Sequence, residues 1–201
     1  MKKILSLILV IACFGLLMSC DVLSSITGGK EEGGAAGIEA FTAAIENTNP
    51  KNITVDIVVE TKLGELTSKY TVNYNDDGSA VITYATEKFN TIGEGAADEL
   101  KSTVTGTVTK NADGTFTGDT NGVDVSGVVA GFKVDVNAMK SYATINENNT
   151  VLTATVAAAD TEAVLGSAFE KDVTVVISLA DGAVELIDLT FEGGSVSYKY
   201  D

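Results

Sequence analysis

After Pro50, apolar and polar residues alternate with a period of two over most of the chain. Ile53, Val55 and Ile57 are separated by polar residues. The same alternation recurs in four further segments: residues 70–74, 103–109, 173–179 and 196–200. Successive side chains of a strand point to opposite faces, so the pattern predicts strands with one buried and one solvent-facing side. We therefore expect a mainly β (α+β) fold, a single curled antiparallel sheet or half-barrel of about ten strands.

Asp-Gly steps separate several of these segments. They lie in Asn75-Asp76-Asp77-Gly78, Asn111-Ala112-Asp113-Gly114 and Ala180-Asp181-Gly182. Asp tolerates a positive φ and Gly adopts one freely, so each step predicts a hairpin turn. The first two also resemble calcium-binding loops, but both lack the alternating oxygen ligands and the terminal bidentate Glu of such loops. We expect turns at these positions, and no metal.

Two stretches depart from the alternation and predict helices. Ile38, Phe41 and Ile45 recur at helical spacing and predict one N-terminal helix, which ends before Pro50. Residues 160–169 predict a short late helix with Asp160 as its N-cap. Residues 94–100 and 138–140 are weaker candidates for single helical turns.

The first twenty residues follow a different pattern. Lys2 and Lys3 precede an almost wholly apolar run, residues 4–18. The run is shorter than the ~20 residues that span a bilayer and is typical of a signal peptide. It ends in Leu17-Met18-Ser19-Cys20, which resembles a bacterial lipobox. The resemblance implies cleavage before Cys20 and attachment of acyl chains such as palmitate to that residue. An ordinary cleaved signal peptide and an uncleaved anchor are the alternatives.

These patterns divide the chain into three parts. Residues 1–19 are predicted to be a lipoprotein signal peptide, and residues 20–37 a lipidated, Gly-rich flexible tether. Residues 38–201 are predicted to form a single β-rich domain. We expect that domain to be exported to the cell envelope, in the periplasm or outside the cell, and held at a bacterial membrane by its lipid.

Composition excludes several classes of function. The formal net charge is −15, all 13 basic residues are Lys, and there is no His, Arg or Trp. Without His, neither a Ser-His-Asp triad nor a His-ligated zinc site exists. The acidity argues against nucleic acid, which basic side chains must neutralise. No nucleophile-elbow or phosphate-loop motif is present. We therefore expect no enzymatic activity and no cofactor.

Aromatic residues on the predicted strands suggest a binding groove. The Tyr residues at 70 and 74, and those at 198 and 200, are spaced so that each pair lies on one face of its strand. The functional hypothesis is that such rings line a groove for an apolar ligand, and the alternative is half-buried packing with a solvated hydroxyl. The candidate ligand-binding residues are Phe41, Tyr70, Tyr74, Tyr84, Phe132, Tyr198 and Tyr200.

The order of elements behind the lipobox resembles the Lol-type lipid and lipoprotein carriers of the bacterial envelope and their mycobacterial relatives. In those proteins helices cap a curled half-barrel that holds acyl chains. The resemblance implies an apolar ligand, a lipid or acyl chain, in the concave face of the sheet. Residues 43–50 also resemble a segment of uncharacterised envelope lipoproteins, which implies no function. The alternative is a surface-display or scaffold module with a filled core, no small-molecule ligand and a protein partner that the sequence does not specify.

Overall fold

Ten strands and three short α-helices make up the part of the chain that the computed structural model describes, residues 34–89, 101–129, 132 and 134–201. The strands are β1 (Asn52–Thr61), β2 (Gly64–Tyr74), β3 (Ala80–Phe89), β4 (Lys101–Lys110), β5 (Phe116–Thr117), β6 (Ala143–Ile145), β7 (Val151–Val156), β8 (Val173–Ala180), β9 (Ala183–Phe191) and β10 (Gly194–Tyr200). The helices are α1 (Gly34–Glu46), α2 (Ser126–Val129) and α3 (Thr161–Leu165), with a 3₁₀ turn at Ala158–Asp160.

All ten strands belong to one open antiparallel sheet, in the order β5-β4-β3-β2-β1-β10-β9-β8-β7-β6. Strands that follow each other in the chain are neighbours in the sheet, except β5 and β6, which form its two edges. At the centre β1 pairs with β10, so that Val55 lies opposite Tyr198. The edge strands β5 and β6 have two and three residues, and such short edges offer little template for pairing with another chain. The predicted fold class is confirmed.

One face of the sheet is buried and the other is polar, as the alternation predicts. Asp56 of β1 lies beside Lys69 of β2 on the exposed face, with 3.9 Å between the carboxylate oxygen and the ammonium nitrogen. A buried row crosses the other face through five neighbouring strands: Ile187, Tyr198, Val55, Tyr70 and Tyr84. Apolar burial of this face is the main stabilising term of the fold.

Helix α1 and the segments between β5 and β8 cover the buried face. Helix α1 contacts β6 and β9 and buries Ile38, Phe41 and Ala44. Helix α2 contacts β2. Further buried side chains in these covering segments are Val125, Val128, Phe132, Val136, Met139, Val164 and Leu165. The cover is therefore built from several short pieces rather than from one long helix.

Helix α1 begins at Gly34, inside the segment predicted to be tether. Gly37 is buried, and a Cβ on it would lie 2.9 Å from Cδ1 of Ile145 on β6. The glycine therefore permits close approach of the helix to the sheet. Its neighbours Ala35 and Ala36 favour helix. At this position glycine therefore allows close packing of a helix rather than chain flexibility.

The predicted late helix is present as α3, and Asp160 holds its N-cap position, as predicted. The Asp160 side chain makes no capping hydrogen bond. Its carboxylate accepts a hydrogen bond of 2.8 Å from the Tyr142 hydroxyl instead. Residues 138–140 form hydrogen-bonded turns and not a helix. The candidate turn at 94–100 lies outside the described residues.

The three Asp-Gly steps form turns between strands, as predicted. They join β2 to β3, β4 to β5 and β8 to β9. Asp77 and Asp113 each accept two hydrogen bonds, from the backbone N–H and the hydroxyl of the residue two positions on, which is Ser79 or Thr115. These bonds lower the pKa of both carboxyl groups. The two carboxylates thus stabilise their own turns by hydrogen bonds. Within the described ranges, no group of acidic or Cys side chains has the arrangement of a metal site.

Candidate functional site

A cleft of about 360 Å³ lies at the end of the sheet where helix α1 ends. The chain leaves α1 through Thr48, Asn49 and Pro50 and enters β1 beside the turn between β2 and β3. The cleft lies between these segments, the end of α2 with Phe132, and the buried face of the sheet. Its lining residues are Ile45, Thr48, Asn49, Pro50, Ile53, Tyr74, Asn75, Gly78, Val129, Phe132, Val184, Ile187 and Tyr200.

The sheet supplies an apolar floor. Ile53 on β1 lies opposite Tyr200 on β10, and Ile53 and Ile187 are almost completely buried. Tyr74 and Tyr200 are half-buried. All four residues follow from the strand alternation, because every second residue points to the same face. The floor is thus a continuation of the hydrophobic core that the covering segments leave partly open.

Two tyrosines hold the covering segment over the floor. The Tyr74 hydroxyl donates a hydrogen bond of 2.6 Å to the carbonyl oxygen of Val129. The Tyr200 hydroxyl has a hydrogen bond with the backbone of Phe132. The Phe132 ring stacks on Tyr198, with 5.6 Å between ring centroids. Val129 and Phe132 are therefore held against the sheet by both polar and apolar contacts.

The lining is uncharged at neutral pH. None of the thirteen lining residues is acidic or basic. Burial raises the pKa of Tyr74 to about 12, and it raises the pKa of Tyr200 to about 12 against the opposing effect of the Phe132 hydrogen bond. Both phenols stay protonated under physiological conditions. Asn49 and Asn75 are exposed and mark the mouth of the cleft.

The structure brings three of the seven candidate ligand-binding residues to the cleft: Tyr74, Phe132 and Tyr200. The other four, Phe41, Tyr70, Tyr84 and Tyr198, lie in the buried core and do not line the cleft. Tyr70 and Tyr84 pack against each other with 6.5 Å between ring centroids. The Tyr84 hydroxyl is hydrogen-bonded to the carbonyl oxygen of Asp119 and to the side-chain amide of Asn121. For these four, the arrangement is core packing.

Sequence reasoning missed the aliphatic part of the lining. Ile45, Pro50, Val129 and Val184 come from four separate segments, and no shared spacing connects them in the sequence. Pro50 was a usable signal, since it ends α1 and so determines where the cover stops. Cys20 lies outside the described residues. In the described ranges, no helix has the length and hydropathy needed to cross a bilayer.

Comparison with known proteins yields similarity to solved structures alone. No protein-family model matches the chain, and no curated protein matches it significantly. Among solved structures, the chain is similar to LprF from Mycobacterium bovis, over 83% of this chain and 91% of that chain. The sequence identity is 10% and the TM-score is 0.38. A similarity of this size has no bearing on function.

Proposed function

We propose that the protein is a membrane-anchored bacterial lipoprotein that binds an apolar ligand, a lipid or acyl chain, without catalysing a reaction. The cleft beside Tyr74 and Tyr200 is the observation that carries this proposal. Small-molecule sites have volumes of about 300–1,000 Å³ and mostly apolar walls with a few polar groups. The cleft has about 360 Å³ and fits this description.

The volume limits what the cleft holds. At about 360 Å³ it lies near the lower end of the range of about 300–1,000 Å³ that is typical of small-molecule sites. One medium-length acyl chain fits, or the end of a longer chain. Each buried methylene contributes about 0.8 kcal/mol, so a chain of this length gives enough apolar burial for specific binding.

A bulky side chain in the cleft is expected to weaken ligand binding strongly. Ile45 lines the cleft from the last turn of α1, whereas Ala43 is exposed on the same helix. Ile45→Trp should fill the cleft and weaken binding of the neutral dye Nile red at least tenfold, measured by fluorescence titration. Ala43→Trp is the matched control and should bind as the original protein does. Equal binding by both variants would place the dye elsewhere.

The anchor is supported by the sequence pattern of residues 1–20. Cys20 follows the apolar run at the position of a lipobox cysteine, whereas Cys13 lies inside that run. The chain is acidic, so anionic headgroups repel it, and an acyl anchor would hold it at the membrane without drawing its surface onto the lipid.

Loss of Cys20 is expected to remove the lipid. Cells given an alkyne analogue of palmitate should label the original protein and the Cys13→Ser variant equally. The Cys20→Ser variant should remain unlabelled, because it lacks the thiol that starts the modification. Labelling of Cys20→Ser, or loss of label in Cys13→Ser, would refute the anchor.

A second candidate function is a surface-display or scaffold module without a small-molecule ligand. The packing of Phe41, Tyr70, Tyr84 and Tyr198 favours it, because these rings fill much of the apolar face. The two candidates differ in one observable. Native mass spectrometry of the protein purified from cells shows non-covalently bound lipid, which denaturation removes, only if the cleft is occupied.

A further inference from the structure

The hydrogen-bonding groups around the cleft distinguish between ligand headgroups. We infer that the cleft selects an uncharged apolar ligand with a hydroxyl group, such as a fatty alcohol or a monoacylglycerol, over a fatty-acid anion of the same length. This inference rests on the proposed function and specifies its ligand class.

The lining offers no charge for an anion. Proteins hold carboxylates and phosphates with Arg, Lys, His or a helix N-terminus. The chain has no Arg and no His, and no lining residue is Lys. Lys51 follows the lining residue Pro50, but it is exposed and is not part of the lining. An anion buried here would lack a counter-charge, which makes its desolvation costly.

The end of α1 adds to this effect. Ile45 and Thr48 place the C-terminus of α1 at the cleft, and a helix C-terminus bears a partial negative charge. No basic residue lies in the last turn of this 13-residue helix, and Glu46 ends it. The formal net charge of −15 has the same sign. Each of these features repels an anionic headgroup.

The side-chain hydroxyl oxygens at the cleft can accept a hydrogen bond from a ligand. Thr48 donates to the carbonyl oxygen of Ala44 at 2.7 Å, and Tyr74 donates to that of Val129 at 2.6 Å. Both hydroxyl protons therefore already form hydrogen bonds within the protein. Both oxygens keep lone pairs that can accept a further hydrogen bond. A ligand hydroxyl can donate to them, whereas a carboxylate has no proton to donate. The exposed amides of Asn49 and Asn75 both donate and accept, which suits a hydroxyl or an ester.

Two ligands of equal length test the inference. The full chain is loaded with Nile red at pH 8, and 1-dodecanol and dodecanoate compete for the dye. We expect dodecanol to bind at least tenfold more tightly than dodecanoate. Equal or tighter binding of dodecanoate would overturn the inference and leave the proposed function standing. Failure of both ligands to compete would overturn the inference and the proposed function together.

Two variants refine this test. Lys51→Gln should leave the ratio of dodecanol to dodecanoate affinity unchanged, because no counter-charge is lost from the cleft. A weaker affinity for dodecanoate alone would overturn the inference. Thr48→Val should weaken dodecanol binding severalfold and leave binding of dodecyl methyl ether, which has no hydroxyl proton, unchanged. Equal effects on both ligands would mean that Thr48 has only a structural role, and would also overturn the assignment.

Discussion

Replacing Phe41 with alanine is expected to lower the free energy of unfolding by about 3–5 kcal/mol. Phe41 lies on α1 and is completely buried against the apolar face of the sheet. Truncating its ring removes buried apolar surface and leaves a cavity that packed neighbours fill only in part. A domain of this size has a total stability of about 5–15 kcal/mol, so this one ring accounts for a large share of it.

Urea denaturation followed by circular dichroism measures this effect. Phe116→Ala is the matched control, because Phe116 lies on the edge strand β5 and is 40% exposed. Phe116→Ala should lower the free energy of unfolding by less than about 1 kcal/mol, which is typical of substitutions outside the core. If the two variants lost the same stability, α1 would not be packed on the sheet, and the cleft at its end would not form.

A single methyl group at Gly106 is expected to destabilise the fold by about 2–3 kcal/mol. Gly106 on β4 lies opposite Tyr84 on β3, and the tyrosine ring occupies the space over it. A Cβ at Gly106 would lie 2.8 Å from Cε1 of Tyr84 and closer still to its hydroxyl. In Gly106→Ala the ring must move, and its hydrogen bonds with Asp119 and Asn121 are lost.

Gly106→Ala should have the opposite effect on stability when the Tyr84 ring is absent. In a Tyr84→Leu background, Gly106→Ala should stabilise the protein by up to about 1 kcal/mol, because alanine loses less backbone entropy than glycine in a strand. Urea midpoints of the four proteins form a double-mutant cycle that isolates this coupling. Additive effects of the two substitutions would show that the ring does not lie over Gly106.

Much of the sheet follows from the sequence, because its polar face is so regular. Thr103, Thr105 and Thr107 alternate with Val104 and a glycine, and β4 forms where they predict it. The pairing of β1 with β10 does not follow from such patterns. It joins residues near opposite ends of the domain, and alternation alone does not choose among partners with similar apolar faces.

Other features escaped prediction for physical reasons. Helix α2 has only four residues, which is too short to show a helical period. Spacing along β2 and β10 placed Tyr74 and Tyr200 on the apolar face, and both line the cleft. The same reasoning selected Tyr70 and Tyr198, which are covered instead. Whether a tyrosine lines the cleft or is buried depends on where the covering segments end. Those segments are distant in the sequence from the strands that they cover.

The most direct test of the account is to map a bound ligand by NMR. Amide spectra of the ¹⁵N-labelled protein are recorded during titration with 1-dodecanol. We predict saturable shift changes at the cleft, with Ile45, Ile53 and Tyr200 among the residues affected, and little change at Tyr84 and Gly106. Changes confined to the region of Tyr84, changes spread over the polar face, or no saturable change at all would contradict the account.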